Sequence, residues 1–501
     1  MSNQVAIVID CGSTNITVLA VDPTGKIIAG ASRPNEAVPQ PNSPQGWMIW
    51  DLDALSGRIC ACCQELMPKL TKAEIKAVTV DTWGADGAPV RADGSLSYPL
   101  ICWQDSRTEG LAASMGDRIP TWDLFQETGY QVIPFNSLLR LIWLRENAPQ
   151  ALEDADCFMM TPGLLSYLLC GERSMDPTAG ATMMAMDLGA RDWSPRMLGL
   201  AGLDASFFPR WTEPGAVIGK VHAAGAAATG LPVGTPVIAA GHDTQFAAVG
   251  CGARPGEAVL SSGTWEILML RHDRFSPTRF GLEEGLLYEV DAEPGLWNPQ
   301  LLMMGSGVLE WLRDGFFADL KGRGDAYDVM IAEARRFAAG SDGVTLLPSF
   351  VASTGPTKKH GTKGSLLGLE ITTERGQVYR AALEGLSFQL RHALEILCEA
   401  TGFQAQGVRV VGGGSKNVLW NQIRADVTGL PITITEQKEA TVLGAAMFAL
   451  VGAGVFESVS QAQDAMNVGE MIVEPGPEAA AYADLYAQYR SVPPALEDFY
   501  A

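Results

Sequence analysis

The chain has 501 residues, which is too long for one ordinary hydrophobic core, so we expect two domains. Hydrophobic residues make up 47% of the chain and charged residues 19%, a globular composition that excludes a disordered chain. The formal net charge is −21, and so acidic a surface repels phosphate backbones and anionic membranes, which argues against a nucleic-acid partner.

Three further features predict a cytoplasmic protein with no membrane span. The N-terminal residues have no basic segment followed by an apolar one, so we expect no signal peptide. The longest nearly apolar segment, residues 442–456, is shorter than a membrane span. The nine cysteines are scattered and odd in number, which favours a reducing compartment over a disulfide framework.

The chain begins with a predicted antiparallel meander. Runs of β-branched residues predict strands over residues 5–9, 17–21 and 26–32. The first turn, residues 10–15 (DCGSTN), has a glycine and small hydroxyl side chains that leave room for a ligand against the backbone. Asp10 at its start is suited to hold Mg²⁺ through water, although Asp is also common in ordinary turns.

A helix over residues 52–70 and a strand over residues 75–80 are predicted next, and this alternation indicates a mixed sheet with helices against its faces. The strand leads into residues 81–87 (DTWGADG). Two carboxylates and a tryptophan at a strand end are typical of a sugar pocket, and a plain glycine-rich hairpin is the alternative.

The middle of the chain carries the most reactive pattern. A strand over residues 236–240 ends just before His242 and Asp243, at the place where open α/β sheets hold their reactive groups. The alternative for Asp243 is a helix N-cap. A second strand, residues 258–261, runs into residues 262–264 (SGT), whose backbone N–H groups could hold an anion.

Further helices are predicted in the second half of the chain. Apolar spacing predicts a long helix over residues 373–400 and another helix over residues 439–454. The tail after residue 475 is expected to be helical and peripheral. The polar segment 353–363 is expected to be a mobile surface loop.

A glycine-rich loop is predicted between a strand over residues 408–411 and a helix over residues 418–427. Residues 412–417 (GGGSKN) place three consecutive glycines at that helix N-terminus. A plain turn needs one glycine, whereas three let a flat or charged ligand lie directly on the backbone. We therefore expect ligand contact here.

Small-residue turns thus follow strands twice in each half of the chain, which predicts two similar mixed-sheet domains facing a shared cleft. The motifs, in this order and at this spacing, resemble those of the FGGY carbohydrate kinases of the actin-like ATPase superfamily, and the resemblance covers residues 4–455. It is carried by the sequences DCGSTN, DTWGADG, GHD, SSGTW and GGGSKN.

The resemblance implies an α/β fold with two ribonuclease H-like (actin-like ATPase) domains, whose mixed sheets surround a central cleft. It implies an N-terminal domain over residues 1–245, with the sugar site and the first phosphate loop. The C-terminal domain, residues 246–501, is expected to bind ATP.

The reaction implied by the resemblance is Mg²⁺-dependent transfer of a phosphoryl group from ATP to the 1-hydroxyl of a small-molecule deoxy-ketohexose. L-fuculose is the first expectation, and L-rhamnulose or another ketose or polyol stays open. Met304 occupies a position where the pattern of L-rhamnulose-specific members has a substrate-contacting asparagine, which disfavours that sugar. A homodimer is possible.

The resemblance also assigns residues to roles. Asp243 matches the catalytic base, and Asp10 matches the carboxylate that orients Mg²⁺. The expected ATP-binding residues are Ser13, Thr14 and Asn15 in the first phosphate loop, Gly263 and Thr264 in the second, and Gly413, Gly414 and Asn417 in the adenosine motif. The expected sugar-binding residues are Trp83, Gly84, Asp86, His242 and Asp243.

A protein of a different class, a non-enzymatic ATP-binding sugar sensor or scaffold, could share this fold, because fold does not fix function. The carboxylates expected to hold Mg²⁺ and to act as the base, Asp10 and Asp243, are both present, which favours the enzyme over the sensor. A chaperone would need a separate peptide-binding domain, for which little of the chain is left.

Overall fold

The computed structural model describes residues 3–351, 354–435, 439–466 and 469–500. Its strands are β1 (Gln4–Cys11), β2 (Asn15–Val21), β3 (Ile27–Pro34), β4 (Val38–Pro39), β5 (Met48–Trp50), β6 (Glu74–Thr82), β7 (Gly87–Val90), β8 (Leu100–Ile101), β9 (Cys157–Met160), β10 (Met186–Asp187), β11 (Asp192–Trp193), β12 (Val217–Lys220), β13 (Pro236–His242), β14 (Ala258–Ser262), β15 (Trp265–Leu270), β16 (Leu287–Val290), β17 (Trp297–Met304), β18 (Thr345–Leu347), β19 (Ser365–Leu367), β20 (Val408–Val411), β21 (Ile432–Thr435) and β22 (Glu470–Val473).

The α-helices are α1 (Leu52–Leu66), α2 (Glu109–Ala113), α3 (Thr121–Thr128), α4 (Ser137–Asn147), α5 (Pro149–Glu153), α6 (Thr161–Cys170), α7 (Pro177–Ala181), α8 (Pro195–Leu200), α9 (Ala223–Thr229), α10 (Asp243–Gly250), α11 (Arg279–Glu284), α12 (Ser306–Phe316), α13 (Ala326–Ala334), α14 (Arg375–Thr401), α15 (Val418–Thr428), α16 (Ala440–Gly452), α17 (Val459–Ala465) and α18 (Ala479–Tyr500). Within the described residues, no helix is long and apolar enough to cross a membrane.

The chain forms two compact units. Unit 1 draws on Met1–Gly252, Tyr288–Trp297 and Glu439–Val468. Unit 2 draws on Ala253–Leu287, Asn298–Lys438 and Gly469–Ala501. The predicted domain boundary between residues 245 and 246 stays a prediction.

The sheet of unit 1 has the strand order β12-β13-β6-β1-β2-β3. The first three strands form the predicted antiparallel meander. Strand β6 then pairs parallel with β1, and β13 pairs parallel with β6. Because these three strands run in the same direction, their carboxyl ends lie side by side. The register pairs Asp10 with Asp81 and Thr82 with His242.

Helix α16 covers this sheet, although it comes from the last part of the chain. Val442 and Ala446 of the helix join Ala6 and Val8 of β1 in one buried apolar cluster. Its neighbour is α10, and a Cβ atom on Gly250 would lie 1.9 Å from the Ala440 carbonyl oxygen. The two helices therefore pack backbone against backbone, which only a residue without a side chain allows at this contact.

In unit 2, six strands lie in the order β17-β15-β14-β20-β21-β22. Strands β14, β15 and β17 are antiparallel neighbours, and β20 and β21 extend the sheet in parallel with β14. Each unit thus has three antiparallel strands followed by two parallel ones. This confirms the predicted ribonuclease H-like fold with mixed sheets.

The C-terminal helix α18 is not peripheral, so that prediction was wrong. Tyr482, Tyr486 and Tyr489 are buried on one face of the helix and stack around Phe388 of α14. Each tyrosine has an apolar ring and a polar hydroxyl group. Tyr482 Oη donates a hydrogen bond to the buried Glu384 carboxylate of α14. Because tyrosine is usually counted as a polar residue, the sequence pattern does not show that this helix has an apolar face.

The segment 353–363 falls partly outside the described residues, since Ser353 is not among them. Of the rest, Thr357 and Thr362 are buried, with side chains bonded to Ser349. The prediction of a surface loop was therefore wrong for these two threonines.

A buried ion pair ties α15 to β15 in unit 2. The Arg424 guanidinium donates hydrogen bonds to a Glu266 carboxylate oxygen and, at 2.7 Å, to Ser262 Oγ. It lies 3.6 Å from the centroid of the Trp420 ring, and both charged side chains are fully buried. Burial lowers the pKa of Arg424 and raises that of Glu266, while their mutual attraction opposes both shifts.

We expect Arg424→Met to lower the free energy of unfolding by about 3–5 kcal/mol, because Glu266 is left buried without a counter-charge. The double variant Arg424→Met with Glu266→Met should recover most of this loss, because it leaves no unpaired charge. Urea titration of the full chain, followed by tryptophan fluorescence, measures both changes.

The matched control for this experiment is the exposed ion pair of Arg323 with Asp325, whose side chains are 50% and 54% exposed. Arg323→Met should change stability by less than about 1 kcal/mol. A double variant no more stable than Arg424→Met alone would show that packing, and not the unpaired charge, causes the loss.

Candidate active site

Three carboxyl groups meet at the carboxyl ends of β1, β6 and β13. Asp10 and Asp81 are register partners, and Asp243 is the first residue of α10, directly after β13. Burial, then the charge of Asp243, raises the pKa of Asp10 to about 7. Burial and both neighbouring carboxylates raise the pKa of Asp81 well above its usual range. Its surroundings therefore favour the protonated form of Asp81.

The helix N-cap alternative for Asp243 is wrong by one residue. His242 is the N-cap of α10, and Asp243 lies inside the helix as its first residue. Its Oδ1 accepts hydrogen bonds from the backbone N–H and the hydroxyl of Thr244, and its side chain remains 30% exposed. Burial raises the pKa of Asp243, which makes its carboxylate a stronger base than a surface aspartate.

The backbone of His242 is held from the α7 side. Its N–H donates to Thr178 Oγ1 at 2.8 Å, and that hydroxyl donates to Asp176 at 2.6 Å. A Cβ atom on Gly241 would lie 2.0 Å from the Asp176 carboxylate and 2.2 Å from the Thr178 hydroxyl. Glycine at position 241 therefore allows this close approach, which fixes the end of β13.

The His242 ring lies between two carboxylates. Its Nε2 is 3.4 Å from Asp243 Oδ1, and its Nδ1 is 3.4 Å from Glu289 Oε2. Burial alone would lower the pKa of His242, but Glu289, Asp243 and Asp176 outweigh it and raise the pKa to about 9. The ring is a cation at neutral pH.

The turn after β6 places Trp83 and Gly84 beside this histidine. A Cβ atom on Gly84 would come within 3.0 Å of His242 Nε2, so any larger residue would displace the ring. Ala85 has a left-handed backbone with φ of 69°, a conformation that costs free energy in a residue other than glycine. Its N–H and carbonyl group are held by Thr182 and Ser137.

Asp86 lies behind the tryptophan. It is fully buried, and one carboxylate oxygen accepts hydrogen bonds from the indole N–H groups of Trp83 at 2.7 Å and Trp50 at 2.6 Å. The other oxygen is paired with Arg140 at 2.6 Å. Its hydrogen bonds thus go to protein donors, so the structure places Asp86 as the anchor of Trp83 and not on the accessible surface.

The first phosphate loop candidate, residues 13–15, is accessible at the end of β1. Thr14 and Asn15 are exposed and Ser13 is partly exposed. Sequence reasoning missed Asn35, which closes this loop: its N–H donates to the Thr14 carbonyl oxygen and its side-chain amide to that of Gly12.

The second phosphate loop candidate belongs to unit 2. Gly263 and Thr264 connect β14 to β15, and Thr264 is exposed. The N-terminus of α12 closes on the loop, because Ser306 N–H donates to the Gly263 carbonyl oxygen at 2.8 Å and Gly305 N–H to that of Thr264 at 3.0 Å.

A cavity of about 380 Å³ in unit 2 collects the adenosine motif. Gly413, Gly414 and Asn417 line it, together with Ser306 and with Tyr327 from α13. No sequence signal points to Tyr327, because a tyrosine in a short amphipathic helix ordinarily packs against the core. The three predicted residues of the adenosine motif therefore line one cavity in unit 2.

No group of three or more metal-ligating side chains is arranged for a direct metal site in the described ranges. The donor set at Asp10 nonetheless fits a cation bound through water. The charge of Asp243 raises the pKa of Asp10, and the charges of both raise the pKa of Asp81, so a nearby divalent cation would relieve repulsion there.

The chain is similar in sequence and in fold to known proteins. Family models described as the N-terminal and C-terminal domains of the FGGY family of carbohydrate kinases match residues 5–250 and 258–453. The L-fuculokinase of Escherichia coli (strain K12) is 39% identical over 464 residues, which is 92% of this chain and 95% of that protein. The L-fuculokinase of Salmonella typhi is 40% identical over 468 residues, covering 93% and 96%.

Among solved structures, the xylulose kinase from Rhodospirillum rubrum matches with a TM-score of 0.88 at 24% identity and covers 99% of both chains. At that identity the likeness shows a common fold. The family models span most of the chain, and the curated relatives match nearly its whole length. The chain therefore belongs to the FGGY family of carbohydrate kinases.

Proposed function

We propose that this carbohydrate kinase transfers a phosphoryl group from ATP to the 1-hydroxyl of L-fuculose. The observation that carries the chemistry is the Asp243 carboxylate, partly exposed and next to a cationic His242 at the carboxyl end of β13. The relatives named L-fuculokinase, at 39% and 40% identity over nearly the whole chain, support the choice of sugar.

A primary hydroxyl is a poor nucleophile, so a carboxylate within hydrogen-bond reach has to accept its proton as the bond to phosphorus forms. Asp243 is placed for that role, and its raised pKa suits it to take the proton. His242 donates hydrogen bonds to sugar oxygens, Trp83 supplies an apolar wall, and Gly84 leaves the space that the His242 ring occupies.

The phosphates of ATP need backbone donors. Ser13, Thr14 and Asn15 are proposed to bind them in unit 1, and Gly263 with Thr264 in unit 2. The unit 2 cavity has room for adenosine over Gly413 and Gly414, with Asn417 at its edge. In-line transfer requires the terminal phosphoryl group to reach the sugar hydroxyl. Water has to be excluded at that moment, because it would otherwise accept the phosphoryl group in place of the sugar.

Mg²⁺ is the expected companion of ATP, and it neutralises phosphate charge when bound. Asp10 would hold it through water, beside its register partner Asp81. We also propose a cytoplasmic location: the nine cysteines are all free thiols, which suits a reducing compartment. The homodimer stays a prediction.

The function is tested by measuring ADP release with Mg²⁺-ATP across L-fuculose, L-rhamnulose, D-ribulose and L-xylulose. Selective turnover of L-fuculose is the expected result. Preference for another ketose would keep the mechanism and overturn the sugar. ATP binding with no turnover of any ketose would favour the sensor or scaffold.

We expect Asp243→Asn to lower kcat by about 10²-fold or more, because the proton acceptor is lost while the shape is kept. Steady-state kinetics with the preferred ketose measures this change, and the thermal unfolding midpoint checks the fold.

The chain contains a matched control in its second His-Asp pair, where Asp273 is 73% exposed beside His272. Asp273→Asn should leave kcat unchanged. Near wild-type kcat in Asp243→Asn would remove Asp243 from the proposed role.

The three-glycine loop provides a test of the nucleotide site. A Cβ atom on Gly413 would meet no described atom within 4 Å, so Gly413→Val projects into open space beside the cavity. We expect a rise of about ten-fold or more in the dissociation constant for ADP with an unchanged unfolding midpoint, as isothermal calorimetry and thermal unfolding would show.

Gly414→Ala is the contrasting variant, because a Cβ atom there would lie 2.0 Å from Ser262 Oγ. It should lower the unfolding midpoint. Equal ADP affinity in Gly413→Val and wild type would place adenosine elsewhere.

A further inference from the structure

Strand β16 brings a buried carboxylate to the sugar site of unit 1. Glu289 is 3% exposed. Tyr130 Oη donates a hydrogen bond to its Oε1, and the Gln245 side-chain amide donates one to its Oε2. Burial, then the Glu289 charge, raises the pKa of Tyr130 well above its usual range, so the phenol remains a donor. Two donors thus fix the orientation of this carboxylate.

The fixed carboxylate faces the His242 ring from the side opposite Asp243. Glu289 Oε2 lies 3.4 Å from Nδ1, and Asp243 Oδ1 lies 3.4 Å from Nε2. The histidine backbone is held separately by Thr178. The ring therefore has one carboxylate at each nitrogen.

We propose that Glu289, held by Tyr130 and Gln245, is a positioning residue for sugar phosphorylation that fixes the orientation and the positive charge of His242. The proposal rests on the proposed function, in which His242 contacts the ketose and Asp243 is the base. Glu289 acts through His242 and does not itself touch the reacting atoms.

The chemistry follows from the two ring nitrogens. A carboxylate at Nδ1 keeps a proton there, and this leaves the Nε2 proton free to point at Asp243 and the sugar. The imidazolium also offsets the charge of Asp243, so the carboxylate remains ionised and able to accept the hydroxyl proton. A neutral ring would have a choice of two tautomers and could present an acceptor to the sugar instead.

The direction of the pH effect is fixed by the charged groups around the ring, which are Glu289, Asp243 and Asp176. With its pKa raised to about 9, His242 keeps its proton at neutral pH and loses it as the pH rises through about 9. Among the carboxylates, Glu289 contributes most to this rise. Its removal should therefore shift the loss of the proton to lower pH.

The test is Glu289→Gln in the full chain, with two independent readouts. The first is NMR titration of the histidine ring protons without ligands, where the His242 signal is identified by its absence in His242→Asn. We expect its pKa to fall by at least one unit. This readout needs no activity, so it judges the Glu289 to His242 pairing even if no ketose is phosphorylated and the proposed function fails.

The second readout is kinetic. Glu289→Gln should lower kcat/KM for the ketose by about ten-fold or more, leave KM for ATP unchanged, and move the alkaline limb of the pH profile to lower pH. Loss of packing alone would not move that limb.

Glu284→Gln is the matched control, because Glu284 is a buried carboxylate of unit 2 that is paired with Lys359. It should leave both readouts unchanged.

If Glu289→Gln does not fold, Tyr130→Phe takes its place, since it removes one hydrogen bond and keeps the carboxylate. A smaller fall in the His242 pKa, with a smaller fall in kcat/KM for the ketose, supports the proposal. A folded variant with an unchanged His242 pKa and an unchanged alkaline limb overturns it and makes Glu289 a purely structural residue.

Discussion

Repulsion among three neighbouring carboxyl groups is the constraint on which the proposed sugar site of unit 1 depends. Parallel strands β1, β6 and β13 bring Asp10, Asp81 and Asp243 to the same edge of the sheet. Three negative charges cannot be held there unpaired. The surroundings of Asp81 favour its protonated form, and His242 supplies a positive charge beside Asp243. The proposed roles of Asp243 as the base and of Asp10 as the holder of a cation depend on this balance of charge.

Much of this arrangement follows from local sequence pattern. Runs of β-branched residues identify the strands, and the small polar residues after them mark the strand ends where sites form. Asp10, His242 and Asp243 could therefore be predicted from sequence as site residues, and all three lie at this edge of the sheet. Asp86 shows the limit of the same reasoning, because motif position alone does not say whether a carboxylate points at a ligand or at the indole N–H groups of Trp83 and Trp50.

Residues supplied from distant segments could not be found in this way. Glu289 lies in a short strand with nothing catalytic around it in sequence, yet it joins unit 1 and meets His242. Helix α16 was predicted as a helix, but its place against β1 depends on the close contact at Gly250. A local sequence pattern shows the periodicity of helices and strands and the residues that form turns. Which distant segments pack together depends on how well their apolar faces fit, and a local pattern does not show that fit.

The three consecutive glycines before α15 show how one motif can serve several physical needs. Gly412 has φ of 86° and lies against the Ser262 carbonyl oxygen, where a Cβ atom would come within 2.5 Å. Gly414 leaves the space that Ser262 Oγ occupies. Two of the three glycines therefore exist for packing against β14, and Gly413 alone faces open space. Ser262 also accepts a hydrogen bond from Arg424. One side chain therefore contacts the buried ion pair, the proposed second phosphate loop and the proposed adenosine motif. The proposed nucleotide site and the stability of this sheet therefore depend on the same contact in unit 2.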